Sequence, residues 1–212
     1  MRTMRFAGGD FAFRVDSSAL VVGELRGGTF AVLSISEMIP KKGAPLRPTA
    51  VVNAFADVLD EYGVVDVMCD GHNSETIKEL LAARSKRLVR APEGQAGKVA
   101  TYLELRRRIY EHELLIPRHT RLIGQLKSLV SKPTSGGGTS ITSPRRTGSG
   151  HGDICSALAL AVWSAHRKRG QSPESLAQAR AYLEQLQRGP KLLPFDQQPI
   201  GDPEADRRPI GR

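Results

Sequence analysis

The sequence predicts a mixed α/β domain, in which an antiparallel three-strand meander is extended by parallel strands and flanked by helices. Three observations carry that expectation. Arg5 to Val15, Ala19 to Leu25 and Thr29 to Ile35 are runs rich in Val, Phe, Leu and Ile, joined by the short links Asp16-Ser17-Ser18 and Arg26-Gly27-Gly28. Polar or glycine links of that length join antiparallel neighbours. A helix-spaced stripe then precedes the next apolar run, Val64 to Asp70, so this strand must return beside the first through a right-handed crossover. Finally, a glycine-rich approach opens into the Ala/Leu-rich run from Asp153 to about His166, whose Leu158, Ala161, Val162 and Ala165 suit packing on a sheet.

The remaining elements follow in order. After the proline- and lysine-rich loop Pro40 to Pro48, a helix from about Thr49 to Tyr62 carries Val52, Phe55, Ala56 and Leu59 at helical spacing and stops at Gly63, the position of a C-terminal cap. Ser74 to Arg84 reads as a helix with Ser74 as its cap and Ile77, Leu80 and Leu81 inward, and Arg87 to Ala91 as a short strand. Gly97 to about His112 reads as a helix carrying Val99, Tyr102, Leu103 and Ile109. Leu114 to Ile116 is a short edge strand, and His119 to Leu129 a helix or turn with Leu122, Ile123 and Leu126 on one side. The polar stretch from about 129 to 147 reads as an exposed hairpin around Gly136-Gly137-Gly138, with a flexible linker as the alternative. Pro173 to Gln187 is expected to be a further helix. After Gly189 the chain holds five prolines and no apolar periodicity, so residues 189–212 are expected to be an extended or disordered tail behind a domain of residues 1–188.

Composition narrows the function. With 31 Lys and Arg against 22 Asp and Glu, the chain carries a formal charge of +9, which suits a polyanionic partner, most simply nucleic acid. The charge gathers in Arg106-Arg107-Arg108, Arg145-Arg146 and Arg167-Lys168-Arg169. The first and last read equally well as solvated faces. Arg145 and Arg146 lie in a glycine-rich loop leading to Asp153, where they can deliver phosphates. Cys69 and Cys155 have no paired spacing, as in a reduced, intracellular protein. No apolar run approaches the ~20 residues of a membrane span, and no signal peptide is evident. Met1 is followed within a few residues by the first strand, as in a domain cut from a longer protein.

Acidic side chains at the ends of apolar elements are the candidate chemistry. Asp10 sits in the first apolar run, Asp70 closes Val64 to Asp70, and Asp153 opens the last helix. A carboxylate half buried in such a run is costly unless a cation stands against it, and oxygen-only ligands suit magnesium or manganese. Each has a plain structural alternative: a strand-edge aspartate bonded to backbone for Asp10, an Asx-turn with Gly71 for Asp70, and a helix-dipole carboxylate for Asp153. His151 and His72 stand two residues from an acid and are candidates to hold a water or a phosphate. An aromatic content of 5% leaves little for base stacking, so duplex backbone contact is the better expectation.

Three stretches carry a resemblance to a known family. They are Gly9-Asp10 followed by Asp16-Ser17-Ser18-Ala19-Leu20-Val21-Val22, Val67-Met68-Cys69-Asp70-Gly71, and Gly150-His151-Gly152-Asp153 running into Ala157-Leu158-Ala159-Leu160-Ala161. From about residue 5 to 166, in these stretches and in element order, the chain resembles the nuclease domain of phage terminase large subunits, a member of the RNase H-like superfamily. The resemblance implies that Asp10, Asp70 and Asp153 bind two Mg2+ or Mn2+ ions roughly 3.5 to 4 Å apart, with Asp16 as an outer ligand or a turn residue. From charge and position, DNA contacts are expected of Arg145, Arg146, Lys132 and His151. One departure stands out: Ser156 occupies a position where that family often has another acid, three residues after the last ligand.

The activity implied is metal-dependent endonucleolytic cutting of concatemeric viral double-stranded DNA during genome packaging, with little sequence specificity. The implied partners are double-stranded DNA, the ATPase domain of the same large subunit, the small terminase subunit and the portal, in the cytoplasm of a bacterial host. The ATPase half is missing: Gly94 to Lys98 lacks the G-x-x-x-x-G-K spacing and the Ser or Thr of a phosphate-binding loop. Two alternatives stand beside this reading, a Holliday-junction-resolvase-like nuclease and a non-catalytic DNA-binding or portal-docking module.

Overall fold

The computed structural model describes residues 4–71, 74–134, 139–143 and 152–169. Its centre is a six-stranded mixed sheet of β1 (Met4–Asp10), β2 (Ser18–Arg26), β3 (Thr29–Met38), β4 (Asp66–Cys69), β5 (Arg87–Arg90) and β6 (Leu114–Leu115), in the order β5-β4-β1-β2-β3-β6. The meander β1-β2-β3 is antiparallel, whereas β4 runs parallel to β1, β5 to β4 and β6 to β3. This is the fold expected from the sequence. The first strand is shorter than the apolar run suggested, because the chain leaves the sheet after Asp10.

The helices are α1 (Pro48–Glu61), α2 (Ser74–Ala82), α3 (Gly94–Tyr110), α4 (Thr120–Ser128) and α5 (Asp153–Arg169). The central strands are apolar on both faces because both faces are covered. Ala19 and Val21 of β2 join the core beneath α3, α4 and α5, while Leu20 and Val22 join the core shared with α1 and α2. All four expected stripe residues of α1 are buried, with Val51 beside them. The helix ends as Gly63 takes φ +63°, its N–H bonding Asp60 O and the N–H of Val64 bonding Leu59 O, the paired bonds of a Schellman cap. The expected hairpin is present in its strands, β7 (Val130–Pro133) and β8 (Thr139–Thr142). The expected helix 173–187 and the tail 189–212 lie outside the described residues.

Two expectations for α3 need correction. Leu103 and Ile109 are exposed, at 47% and 42%; Tyr102 is buried as expected, and the buried face otherwise carries Thr101, Glu104, Leu105 and Arg108. The Arg106-Arg107-Arg108 cluster is not a uniformly solvated or DNA-facing surface either. Arg108 is fully buried, its Nε donating to Glu104 Oε1 at 2.8 Å and a terminal nitrogen to Gly28 O at 2.9 Å, which ties α3 to the β2–β3 turn. Arg107 bridges Glu104, Glu111 and Glu113. Burial alone would raise the Glu104 pKa, but hydrogen bonds from Arg107 and His166 outweigh it and hold the carboxyl at about 2. Helix α3 thus buries ions where an apolar stripe was expected, so hydrophobic spacing could not phase it.

Helix α5 lies very close on β1. A Cβ at Gly8 would stand 2.2 Å from Ala157 O and 2.3 Å from Ala161 N, both backbone atoms of α5. Only glycine lets the helix lie directly on the strand, and Ala157 and Ala161 are small for the same reason. Replacing Gly8 by Ala should therefore force helix and strand apart and lower unfolding stability by about 2–3 kcal/mol, as overpacking does, read from the urea midpoint. An unchanged midpoint would show that the two elements separate at no cost.

Candidate metal centre

Strands β1 and β4 end at the same edge of the sheet, with Gly9 opposite Cys69. Asp10 is the last residue of β1 and Asp70 follows the last residue of β4. Asp153 opens α5, which the Gly8 contact lays across β1, and Asp16 lies in the β1–β2 link. All four aspartates line one open pocket of about 610 Å³, together with residues of the α3 N-terminus and of the β8 end. Open α/β sheets place their sites at this carboxyl edge.

The four acids are held differently. Asp153 is 5% exposed, and its Oδ2 accepts the Ser17 N–H at 3.2 Å and the Ser17 hydroxyl at 2.5 Å. Glu37 Oε1 stands 2.7 Å from the same hydroxyl, whose single proton serves one carboxylate at a time, and Glu37 is itself paired with Arg121 at 2.7 Å. Asp70 is exposed and Asp16 half-buried. Asp10 carries the electrostatic load. Burial, then Asp70, then Asp153 push its pKa up to about 7, against the hydrogen bond from Ser156 and the charge of Lys98. Ser156, at the position of the missing acid, thus touches Asp10 with a hydroxyl.

The remaining expectations divide. Lys132 is exposed on β7 and does not line the pocket, although Thr142 and Ser143 of the same hairpin do. Arg145, Arg146, His151 and His72 lie outside the described residues. Lys98, Tyr102, Ser17, Glu37 and Arg121 were not singled out as site residues. Lys98 is an exposed cation in the pocket wall, close enough to act on Asp10, and the first turns of α3 bring Gly94 and Thr101 to the same wall. Its signal in the sequence was present but misleading, a lysine in a failed phosphate-loop lookalike. The Tyr102 hydroxyl, near Asp10 and Asp153, is kept protonated by burial. Burial likewise pushes the Cys155 thiol up to about 12 and the Cys69 thiol upward, so neither is a nucleophile.

Among the described residues no group of three or more His, Cys, Asp or Glu side chains is arranged to hold a metal ion. The donor set nevertheless fits a hard divalent cation: it is all oxygen, several carboxylates share one pocket, and Asp10 is forced toward its protonated form when no cation offsets its neighbours.

No family model matches this chain, and no curated protein matches it. Solved structures do. The large terminase nuclease from thermophilic phage G20c with bound magnesium superposes with a TM-score of 0.64 at 21% identity, over 76% of this chain and 81% of that one. Its form with bound cobalt gives 0.62 at 23% identity, over 76% and 81%. The HK97 bacteriophage large terminase gives 0.65 at 16% identity, over 77% of this chain but only 40% of that one. The chain has the RNase H-like fold of the terminase nucleases.

The Asp10 pKa carries a consequence for stability. Below 3.8 both folded and unfolded chains hold the proton, so Asp10 contributes nothing. As pH rises from 3.8 to about 7 the unfolded chain loses the proton first, and stability falls by on the order of 3–4 kcal/mol. In EDTA, Asp10→Asn should therefore unfold with the wild type at pH 4 and at clearly higher urea at pH 8. Coincident midpoints at pH 8 would show that the carboxylate carries no such strain.

Proposed function

We propose that this protein is a metal-dependent endonuclease that cuts double-stranded DNA by phosphodiester hydrolysis with little sequence preference, acting on viral concatemers during genome packaging. The observation that supports it most is the convergence of Asp10, Asp16, Asp70 and Asp153, drawn from distant segments, on one pocket at the carboxyl edge of the sheet. The magnesium and cobalt found in terminase nucleases of this fold agree with that donor chemistry.

In this reading Asp10, Asp70 and Asp153 would hold two Mg2+ or Mn2+ ions, with Asp16 as an outer ligand. When bound, such ions supply an activated water and neutralise the leaving 3′ oxygen. The chain's own residues do the rest. The Ser17 hydroxyl and N–H fix the orientation of Asp153, as outer-shell partners of metal ligands do. Ser156 holds Asp10 from α5. Lys98 and the positive end of α3 face the acids across the pocket and would receive the phosphate's non-bridging oxygens. No protein nucleophile is invoked, and both thiols stay protonated. The ATPase domain, the small subunit and the portal would be the working partners, in the cytoplasm of a bacterial host. Among the described residues no helix is long and apolar enough to cross a membrane.

A second reading, a DNA-binding or portal-docking module with weakly occupied acids, draws on the absence, among the described residues, of a group of three side chains arranged to hold a metal ion. Supercoiled plasmid incubated with manganese separates the two. Nicking and linearisation by the wild type, lost in Asp10→Asn and in Asp153→Asn with DNA binding retained, is the expected result. Binding without cleavage by any variant, wild type included, would replace the nuclease by the docking module. Lys98→Ala should lower the single-turnover cleavage rate by about a hundredfold, the scale of losing one charge-stabilising donor, with DNA affinity changed far less. A loss confined to affinity would make Lys98 a binding contact only.

A further inference from the structure

Among the described residues several surface cations are already engaged. Arg84 holds Asp57, Arg87 holds Asp66, Arg90 holds Glu75, Arg107 spans three glutamates and Arg121 holds Glu37. Arg14, Lys41, Lys42 and Arg47 are not engaged in this way, and neither are Lys98, Arg106, Arg118 and Lys132; what sets the four apart is that they sit together. All four are exposed, and none has a carboxylate partner among the described residues. Between Glu37 and Asp57 the sequence has no acid at all.

Their place in the fold gives that surplus a direction. Met38, the last residue of β3, pairs with Ser18, and Asp10 pairs with the next residue, Ala19, so the loop from 39 to 47 leaves the same sheet edge that carries the acids. With strands about 4.8 Å apart, the end of β3 stands about 10 Å from the end of β1. The loop holds its own shape: Ala44 N–H bonds Lys41 O at 2.9 Å, and Leu46 N–H bonds Phe13 O at 2.7 Å. The second bond fastens it to the β1–β2 link and brings Arg14 and Arg47, each one residue beyond the bonded pair, to one seam. Unpaired cations on an internally braced loop, beside a pocket of carboxylates, form a surface suited to a phosphate backbone that passes the pocket.

We propose that Arg14, Lys41, Lys42 and Arg47 form a phosphate-binding rail that holds duplex DNA against the pocket from the β3 side, apart from the hairpin. The assignment rests on the nucleic-acid reading above. The rail makes no base contacts, so it contributes affinity without sequence preference, and its contribution falls as salt rises.

The experiment compares two charge-matched triple variants of the full chain, Lys41→Ala/Lys42→Ala/Arg47→Ala and Arg26→Ala/Lys78→Ala/Arg87→Ala. The second removes cations that lie away from the pocket, two of them at the opposite end of the sheet. Binding to a fluorescent 30-base-pair duplex is followed by anisotropy in calcium across a salt series. The rail variant should bind tenfold or more weakly at 150 mM salt, with the slope of log K against log salt reduced by about 2 to 3. The control should stay near the wild type, and both variants should melt within about 2 °C of it, since the removed groups are exposed. A rail variant indistinguishable from the wild type in a protein that binds and cuts DNA would overturn the rail alone. Equal weakening in both variants would also overturn it, by showing a general effect of net charge. A wild type that neither binds nor cuts duplex DNA would remove the rail and the nuclease reading together.

Discussion

The structure depends on one close contact, the seating of α5 on β1 at Gly8. With no Cβ in the way, the helix backbone reaches the strand directly, and Ala157 and Ala161 complete a flat seat. The consequence is positional. The seat fixes where the first turn of α5 falls relative to the end of β1, and so brings an acid from position 153 over an acid from position 10. Neither carboxylate is held there by attraction to the other. Packing brings together what charge would separate, and that mismatch is the physical content of the site.

How the fold tolerates the mismatch differs between the two acids. Asp153 is nearly buried but receives two hydrogen bonds from Ser17, backed by Glu37 and Arg121. Asp10 receives the Ser156 hydroxyl and the distant help of Lys98, and these fall short of what burial and two neighbouring carboxylates impose. Desolvation and like charge act in the same direction here. A site arranged this way favours any cation that can enter it, and selects among cations by its oxygen donors. The strain sits on the central acid, the one that touches the influence of both others.

Much of this was legible in the sequence, for a local reason. Asp10, Asp70 and Asp153 each stand at the terminus of an apolar element, and ends of elements at one sheet edge converge once the crossover is fixed. The meander, the α1 stripe and Ala161 of the α5 seat follow from periodicities of two and 3.6. What the sequence hid is tertiary in origin. Ser17 is a plain turn residue until α5 arrives, and Lys98 points to the pocket only because α3 begins at Gly94, three residues before its periodicity suggests. Helix α3 was misphased because its inner face buries Glu104 and Arg108, which pattern reading assigns to solvent. Arg108 in particular was read as surface charge, although it closes the gap between α3 and the β2–β3 turn.

That last error bears on how a net charge of +9 should be read. Net charge alone says that a polyanion is welcome, without saying where. In the fold, many arginines are committed to named carboxylates, and Arg108 is inside the protein. An exposed, paired cation gains little from its partner, yet it offers less to a passing phosphate than an unpaired one, because the local field is already neutralised. The useful charge is therefore the unpaired remainder, and its location carries the information. Around the pocket, among the described residues, that remainder includes Lys98 in the wall and the loop cations beyond β3. In the proposed function the acids would hold hard cations while the surrounding bases would hold phosphates beside them. A single sheet edge carries both kinds of charge.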